Sequence, residues 1–471
     1  MKHTFKWRGL FLTASAIALF AFGAQANSGS SMTEMNDEMD KTLVEAIESG
    51  LATNPEFEVV RSSRRATDEE LRQGDALFLP SLDVFANGGY EFNDDPATRS
   101  GIDNNDNENL WRYDSSVTLT QLLYNGGEAH YEVQRQKARV ASSAHRVRET
   151  SEFVGLAIVE GYLEVLRQRQ LLVIARQNVA AHVDILGQIK DGVDAGRSTQ
   201  ADLEQAKARM ANASALEAST LQSLKNAEAQ YRRQVGVAPG YLELPEIPYD
   251  ALEEDVEREV EAALAYNPTI DIFEADIEAA YAEAEQTKAA FYPQVDLELN
   301  ARRGHDLNGI EGRDTSASAL VVANWNLYRG GGDTARVKEF IHRHQQAKAE
   351  RADTARRVEE EVRQTWASMV AAAQRAEEFA AQADANVEVV SAYKDQFNLD
   401  RRTLLDVLDS QNELFVSRSN TINAEFLETF AVFRLLALKA ALLPTTGLDY
   451  VPETQIVSSE DWSVDEKMKA R

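Results

Sequence analysis

Residues 333–394 read DTARVKEFIHRHQQAKAERADTARRVEEEVRQTWASMVAAAQRAEEFAAQADANVEVVSAYK, without a proline or a glycine. Proline breaks helix interiors and glycine weakens them, whereas Ala, Glu, Arg, Gln and Val dominate here. The run predicts one helix, about 90 to 100 Å long at 1.5 Å per residue. A helix of that length outgrows a compact domain and needs a partner alongside. Upstream, residues 128–190 are also free of proline and carry only Gly155, Gly161 and Gly187. Their stripe of Val159, Tyr162, Leu163 and Leu166 suits side-by-side coiled-coil packing. Turns at 191–198 and 398–402 are expected to send the chain back along a second helix in each half.

The two stretches belong to a duplication, which is read before anything else because it decides the architecture. Asn54-Pro55 recurs as Asn267-Pro268 and Leu79-Pro80 as Tyr292-Pro293, each 213 positions on. Tyr124-Asn125-Gly126-Gly127 recurs as Tyr328-Arg329-Gly330-Gly331, Lys190-Asp191 as Lys394-Asp395, and Thr199 with Asp202 as Thr403 with Asp406, each 204 positions on. The difference of nine residues falls between two strand candidates, so the first half has the longer loop there. The expected organisation is a signal peptide at 1–26, a first repeat at 27–250 with its helical hairpin at 128–236, a second repeat at 251–444 with its hairpin at 333–443, and a polar tail at 445–471.

Ahead of each long helix, apolar residues recur at every second position. Leu82, Val84, Ala86, Gly88, Tyr90 and Phe92 do so, then Trp111, Tyr113, Val117 and Leu119; the second half has Val295, Leu297 and Leu299, then Ala317, Ala319, Val321, Ala323 and Trp325. This is the strand period, and strands are expected at 80–93, 111–124, 292–303 and 315–328. An ordinary half-buried sheet alternates in the same way. Aromatic residues near the strand ends (Tyr90, Phe92, Trp111, Tyr113, Trp325, Tyr328) favour strands that cross a bilayer, which need about 9 to 11 residues and carry interfacial girdles. The acidic loop at 93–109 would then face outside. Four strands cannot close a barrel, and an open edge cannot face lipid. The membrane reading therefore requires several copies: two give eight strands, which side chains fill, and three give twelve, wide enough for a channel.

Composition narrows the function classes. Of 471 residues, 44% are hydrophobic, enough for a core, and the formal net charge is -28. Such a charge repels phosphate backbones, so nucleic acid is not expected as a partner. The chain has no cysteine, which excludes disulfides, thiolate metal sites, Cys nucleophiles and lipid attachment at an N-terminal Cys. Lys2, Lys6 and Arg8, an apolar run at 10–22 and Ala24-Gln25-Ala26 read as a cleavable signal peptide. An uncleaved anchor would need about 20 apolar residues. The later apolar run at 431–443 is interrupted by Arg434 and Lys439.

At the turns, Thr199 with Asp202 and Thr403 with Asp406 have the spacing of a capping box, in which hydroxyl and carboxylate satisfy the first backbone N–H groups of the returning helix. Asp409 is not covered by that explanation. It lies three positions past Asp406 on the same helical face, among Leu404, Leu405, Val407 and Leu408. In an assembly of several copies, Asp406 and Asp409 would form stacked carboxylate rings that attract cations, raise one another's pKa and gate a constriction; the alternative is a solvated helix face. His342 and His344 point apart on a helix and make no shared metal site. The Gly-rich segments lack the Lys-Ser/Thr of a phosphate loop. No catalytic constellation stands out, so neither an enzyme nor any metal or other cofactor is expected.

From about residue 43 to 444 the sequence resembles the TolC family of trimeric outer-membrane channel-tunnels. The most specific stretch is RTLLDVLDSQNELF at 402–415, supported by AGRSTQADLEQA at 195–206 and both Tyr-x-Gly-Gly junctions. The resemblance implies an α+β membrane protein of two tandem repeats, each a strand hairpin plus a long antiparallel coiled coil. It implies a homotrimer whose twelve-stranded barrel spans outer-membrane lipid and continues into a helical periplasmic tunnel. Implied partners are a periplasmic adaptor (membrane fusion protein) and an inner-membrane ABC or RND transporter. Asp406 and Asp409 match the acidic constriction. Arg402 matches the basic latch that holds the tips closed, with Asp202 as its acceptor and Phe397 as its aromatic member. Gly196, with Arg197, Ser198 and Arg401, matches the adaptor-docking tips, and Asp400 stands where the family usually has glycine. The TLLDVLDSQNELF form is similar to members serving type I secretion, so the expected function is the exit duct of such a machine. Alternatives are the outer-membrane channel of a multidrug efflux pump, a periplasmic helical-hairpin adaptor, and a soluble enzyme with coiled-coil arms.

Overall fold

The computed structural model describes residues 38–93, 108–309, 311–399 and 401–456. The expected signal peptide, most of the acidic loop, Asp400 and the tail from 457 lie outside the described residues. In chain order the elements are β1 (Glu38–Lys41), α1 (Leu43–Thr53), α2 (Pro55–Ala76), β2 (Ser81–Asn93), β3 (Glu108–Tyr124), α3 (Glu128–Asp194), α4 (Gln200–Val235), β4 (Ala238–Leu242), α5 (Val256–Tyr266), α6 (Pro268–Gln286), β5 (Gln294–His305), β6 (Arg313–Asn324), α7 (Gly332–Asn398), α8 (Leu404–Leu438) and α9 (Leu442–Thr445).

Helices α3 and α7 each have 67 residues, about 100 Å at the helical rise. The first turn is tighter than expected, because α3 runs on to Asp194 through Gly192, whose carbonyl accepts the N–H groups of Arg197 (2.8 Å) and Ser198 (3.2 Å). β6 ends at Asn324 instead of 328. Past that point Trp325 leaves the ladder and donates its Nε1–H to the Phe291 carbonyl at 3.1 Å, so Trp325 belongs to the strand-to-helix bend and not to the strand.

Both Asn-Pro pairs are junctions between short helices. Asn54 closes α1 through its N–H to the Gly50 carbonyl (2.7 Å) and opens α2 by accepting from the Glu56 N–H (2.9 Å), with Pro55 at the first helical position. Asn267 repeats this between α5 and α6, and its amide also donates to the buried Leu438 carbonyl at 2.7 Å. Each short pair packs beside the long helices. Ile47 and Phe57 enter the larger core with Ile158, Tyr162, Tyr231 and Phe433; Val260 and Ile270 enter a second core with Val362, Val432 and Leu435. A third core at the turns joins both hairpins through Ile185, Ile189, Ala206, Leu404, Val407 and Leu408. β1 and β4 form a small parallel sheet, and β2-β3-β5-β6 form an antiparallel one.

The expected polar tail begins as folded structure. Leu448, Tyr450 and Val451 pack against the larger core, and Glu152 of α3, 1% exposed, accepts the backbone N–H groups of Leu442 (3.1 Å) and Leu443 (3.3 Å). Tyr450 Oη lies 2.5 Å from Glu152 Oε1 and 2.8 Å from the Ala440 carbonyl oxygen. One hydroxyl proton cannot serve both acceptors. A proton on Glu152 resolves this: the carboxyl donates to Tyr450, and Tyr450 donates to Ala440. Burial pushes the Glu152 carboxyl up to about 7 from an ordinary 4.5. Because the folded value is raised, this contribution is complete below pH 4.5 and is lost as pH rises through about 7. About 3 kcal/mol is at stake at 1.36 kcal/mol per pH unit. Glu152→Gln is expected to flatten the pH dependence of the unfolding midpoint across that window; an unchanged slope would remove Glu152 as the group responsible.

Candidate functional site

Two regions lack an ordinary structural explanation: the faces of the four-stranded sheet, and the turns where the helical hairpins meet. Cross-strand register places Leu82 beside Leu119, Val84 beside Val117 and Tyr90 beside Trp111, and continues through Leu119 beside Leu299 and Leu297 beside Val321. One face is thus apolar across all four strands. Nothing among the described residues covers it: Val84 is 74% exposed, Trp111 63% and Val321 66%. The opposite face is polar and internally paired. Arg302 makes a two-pronged contact with Asp114 (2.8 Å each), Arg112 donates to Glu91 at 2.9 Å, and Asn300 donates to Thr118 at 2.7 Å. A soluble sheet hides its apolar face and wets its polar one, whereas here the apolar face is uncovered. A continuous apolar surface of this extent marks a partner or a lipid phase. No helix among the described residues is long and apolar enough to cross a membrane.

At the turns, both capping boxes form. Thr199 accepts from the Asp202 N–H at 3.2 Å while Asp202 accepts from the Thr199 N–H at 2.9 Å. Thr403 and Asp406 do the same at 3.3 and 3.1 Å. Asp202 is thereby engaged by its own helix start, and the Arg402–Asp202 pair implied by the resemblance is absent within the chain. Arg402 instead donates to Gln396 Oε1 at 3.1 Å, stands 3.8 Å from Asp406, and lies over the Tyr393 ring at 4.1 Å. Hydrogen bonds from the Thr403 hydroxyl and backbone, then the Arg402 charge, hold the Asp406 carboxyl below the usual carboxylate range. Within the chain that direction is opposite to the one expected of stacked rings.

Asp409 is 52% exposed at its side chain and pairs with Arg209 of α4 at 3.0 Å, a bridge from the second hairpin to the first. Sequence reasoning missed Arg209; its signal was weak, seven residues and two turns past Asp202 on the same helical face. Phe397 packs on the core at the turns. Gly196 and Arg197 are exposed at the first turn, Ser198 is partly so, and Gly196 takes φ 72 with open space around it. Arg401 is exposed at the second turn, its N–H on the Gln396 carbonyl at 2.9 Å. The arrangement sets two carboxylates, each beside a cation, on the returning helix of one hairpin. Among the described residues no group of three or more His, Cys, Asp or Glu is placed to hold a metal ion.

Residues 46–237 and 260–438, one segment in each half, match the profile of the family described as outer membrane efflux protein. The chain belongs to this family, which includes the TolC proteins. It is an outer-membrane transport conduit with its helices on the periplasmic side, and not an enzyme. The outer membrane efflux protein BepC of Brucella suis is 24% identical over 357 residues, 73% of this chain and 76% of that one. The alkaline protease secretion protein AprF of Pseudomonas aeruginosa is 22% identical over 420 residues, 87% and 86%. The solved Campylobacter jejuni CmeC outer-membrane channel shares the fold at a TM-score of 0.76 and 12% identity, over 89% of this chain and 90% of that one.

Proposed function

We propose that three copies of the chain close their sheets into one twelve-stranded barrel across the outer membrane and serve as the exit duct of a type I protein secretion machine. The observation that carries this reading is the inverted sheet. Its apolar face asks for lipid, its polar face with the Arg302–Asp114 and Arg112–Glu91 pairs asks for water, and its open edges ask for further copies. Three copies give twelve strands, enough for an aqueous lumen. The helical hairpins continue the duct toward the inner membrane, where the tips at Gly196, Arg197, Ser198 and Arg401 meet a periplasmic adaptor coupled to a transporter. The relative AprF, named for alkaline protease secretion, supports secretion as the task. The second reading, an efflux channel, is favoured by the name of BepC.

In this reading Asp406 and Asp409 line the periplasmic entrance, and Arg402 and Arg209 hold it narrow. Planar-bilayer recording of the detergent-extracted oligomer is expected to show stable, cation-selective channels. Arg209→Ala combined with Arg402→Ser releases both carboxylates from their cations, and like charges facing one another then open the entrance. A several-fold rise in single-channel conductance is expected, and unchanged conductance would discard the latch. Asp406→Asn with Asp409→Asn should weaken block by multivalent cations; equal block before and after would discard the rings. Deletion of the chain from its host separates the cargoes, since a secretion defect with unaltered drug sensitivity selects the duct for proteins.

A further inference from the structure

Resting on the three-copy reading, in which β6 of one subunit meets β2 of the next, we propose that this seam takes the register that sets Leu320 against Phe85 of the partner subunit. β2 and β6 are the two edges of the sheet, and all its neighbours are antiparallel. With strand direction alternating, β6 of one copy meets β2 of the next antiparallel as well. The polar face supplies the clue to register. From Arg112 to Thr120 on β3 and from Gln294 to Arg302 on β5 it carries only polar side chains. The apolar side chains on that face are Leu110 and Leu122 toward the two ends of β3 and, on the edge strands, Phe85 of β2 and Leu320 and Val322 of β6. Phe85 is 55% exposed and Leu320 53%. Two apolar groups facing an otherwise wet surface, one on each open edge, cover one another when the edges meet.

The geometry of closure selects the same pairing. Side chains keep their faces only when register moves by two positions. With Leu320 against Phe85 of the partner subunit, Asn324 meets Ser81 of the partner subunit and Arg313 meets Phe92 of the partner subunit, so β6 pairs over its whole length of 12 residues. A row followed across the ladder passes Ser81, Thr120, Glu298 and Leu320 and lands on Phe85 of the partner subunit, four positions along. Around three copies the stagger is about twelve positions over twelve strands, the same ratio as in the eight-stranded barrel whose strands tilt about 36°. Membrane barrels tilt about 35 to 45°. Moving the seam by two positions makes the stagger about six or about eighteen, flatter or steeper than that range.

The absence of cysteine makes the seam directly testable with Phe85→Cys/Leu320→Cys. Within one chain these positions lie on opposite edges of the sheet, three strand spacings or roughly 14 Å apart, beyond the ~7 Å Cα limit of a disulfide. Any bridge therefore joins two chains. The expected result is a covalent trimer on a non-reducing denaturing gel that collapses with reductant and is absent from either single variant. A trimer by size that bridges through Phe85→Cys/Val322→Cys in place of the Leu320 pair, or through neither, overturns the register. A wild-type chain that stays monomeric in detergent overturns the three-copy reading instead. If Phe85→Cys blocks assembly, Leu82→Cys/Ala323→Cys, opposed on the other face in the same register, gives the same readout.

Discussion

Gly126→Ala is expected to destabilise the protein by about 3 kcal/mol or more, and the matching Gly330→Ala by only about 1 to 2 kcal/mol. Both glycines stand at the bend from strand to long helix, with φ 67 and 65, a region that costs a residue with a Cβ about 1 to 2 kcal/mol. Their surroundings differ. A Cβ on Gly126 would lie 2.8 Å from Tyr292 Cβ and 3.0 Å from both the Ala289 Cα and its carbonyl oxygen, whereas Gly330 has nothing within 4 Å. Backbone cannot rotate away as a side chain can, so overpacking adds a further 1 to 3 kcal/mol or so at Gly126 alone. The reason is architectural: the bend into α3 abuts the segment that leads into β5, welding the first half to the second, while the space beside Gly330 in the bend into α7 is open. Unfolding midpoints of the two variants measure the contrast, and equal losses would refute it.

Lys439→Met should cost about 3 to 5 kcal/mol, the usual penalty for orphaning a buried charge. Lys439 Nζ donates to Glu259 Oε2 at 3.1 Å and to the Ala251 carbonyl at 2.8 Å, with the two side chains 7% and 0% exposed. Glu259 also accepts the Glu253 N–H at 2.9 Å, and its second oxygen has no partner. Without the ammonium, a fully buried carboxylate is left with no cation beside it to offset its lost hydration. Replacing both partners, as in Lys439→Met/Glu259→Leu, is expected to recover most of the loss, because the penalty belongs to the unpaired charge and not to the pair. A double variant as unstable as the single one would show that the pair holds the end of α8 by geometry.

The features readable in the sequence were those whose signal is repeated locally. Absence of proline extends over some sixty positions, and α7 fills residues 333–394 before ending at Asn398. Alternation in Leu82, Val84 and Tyr90 carries its own face assignment, which the register with Leu119, Val117 and Trp111 displays. The family is written into residues 402–415, which lie within a matched segment. What escaped depends on contacts that no local pattern encodes. Arg209 and Asp409 stand 200 positions apart, and Glu152 grips backbone 290 positions away. Asn54 and Asn267 were visible as landmarks of a repeat, yet their role in both closing and opening helices needs the fold around them. Likewise the sequence offers Asp406 both a capping spacing and a place in a ring, and only the fold shows the cap governing its environment within the chain.

The matched lengths of the helices have a consequence for how such a protein can change over time. Long helices of 67 residues are answered by returning helices of 36 and 35, so the two hairpins behave as staves cut to one measure. A single inserted residue in one helix would lift its tip by about 1.5 Å and turn every later core residue by about 100° out of its seam. Inserting seven restores the seam, and only if the other helices gain seven as well. A lineage of such proteins can therefore lengthen or shorten its reach only in concerted steps of about 10 Å, and a gap wider or narrower by less must be met by whatever it docks with.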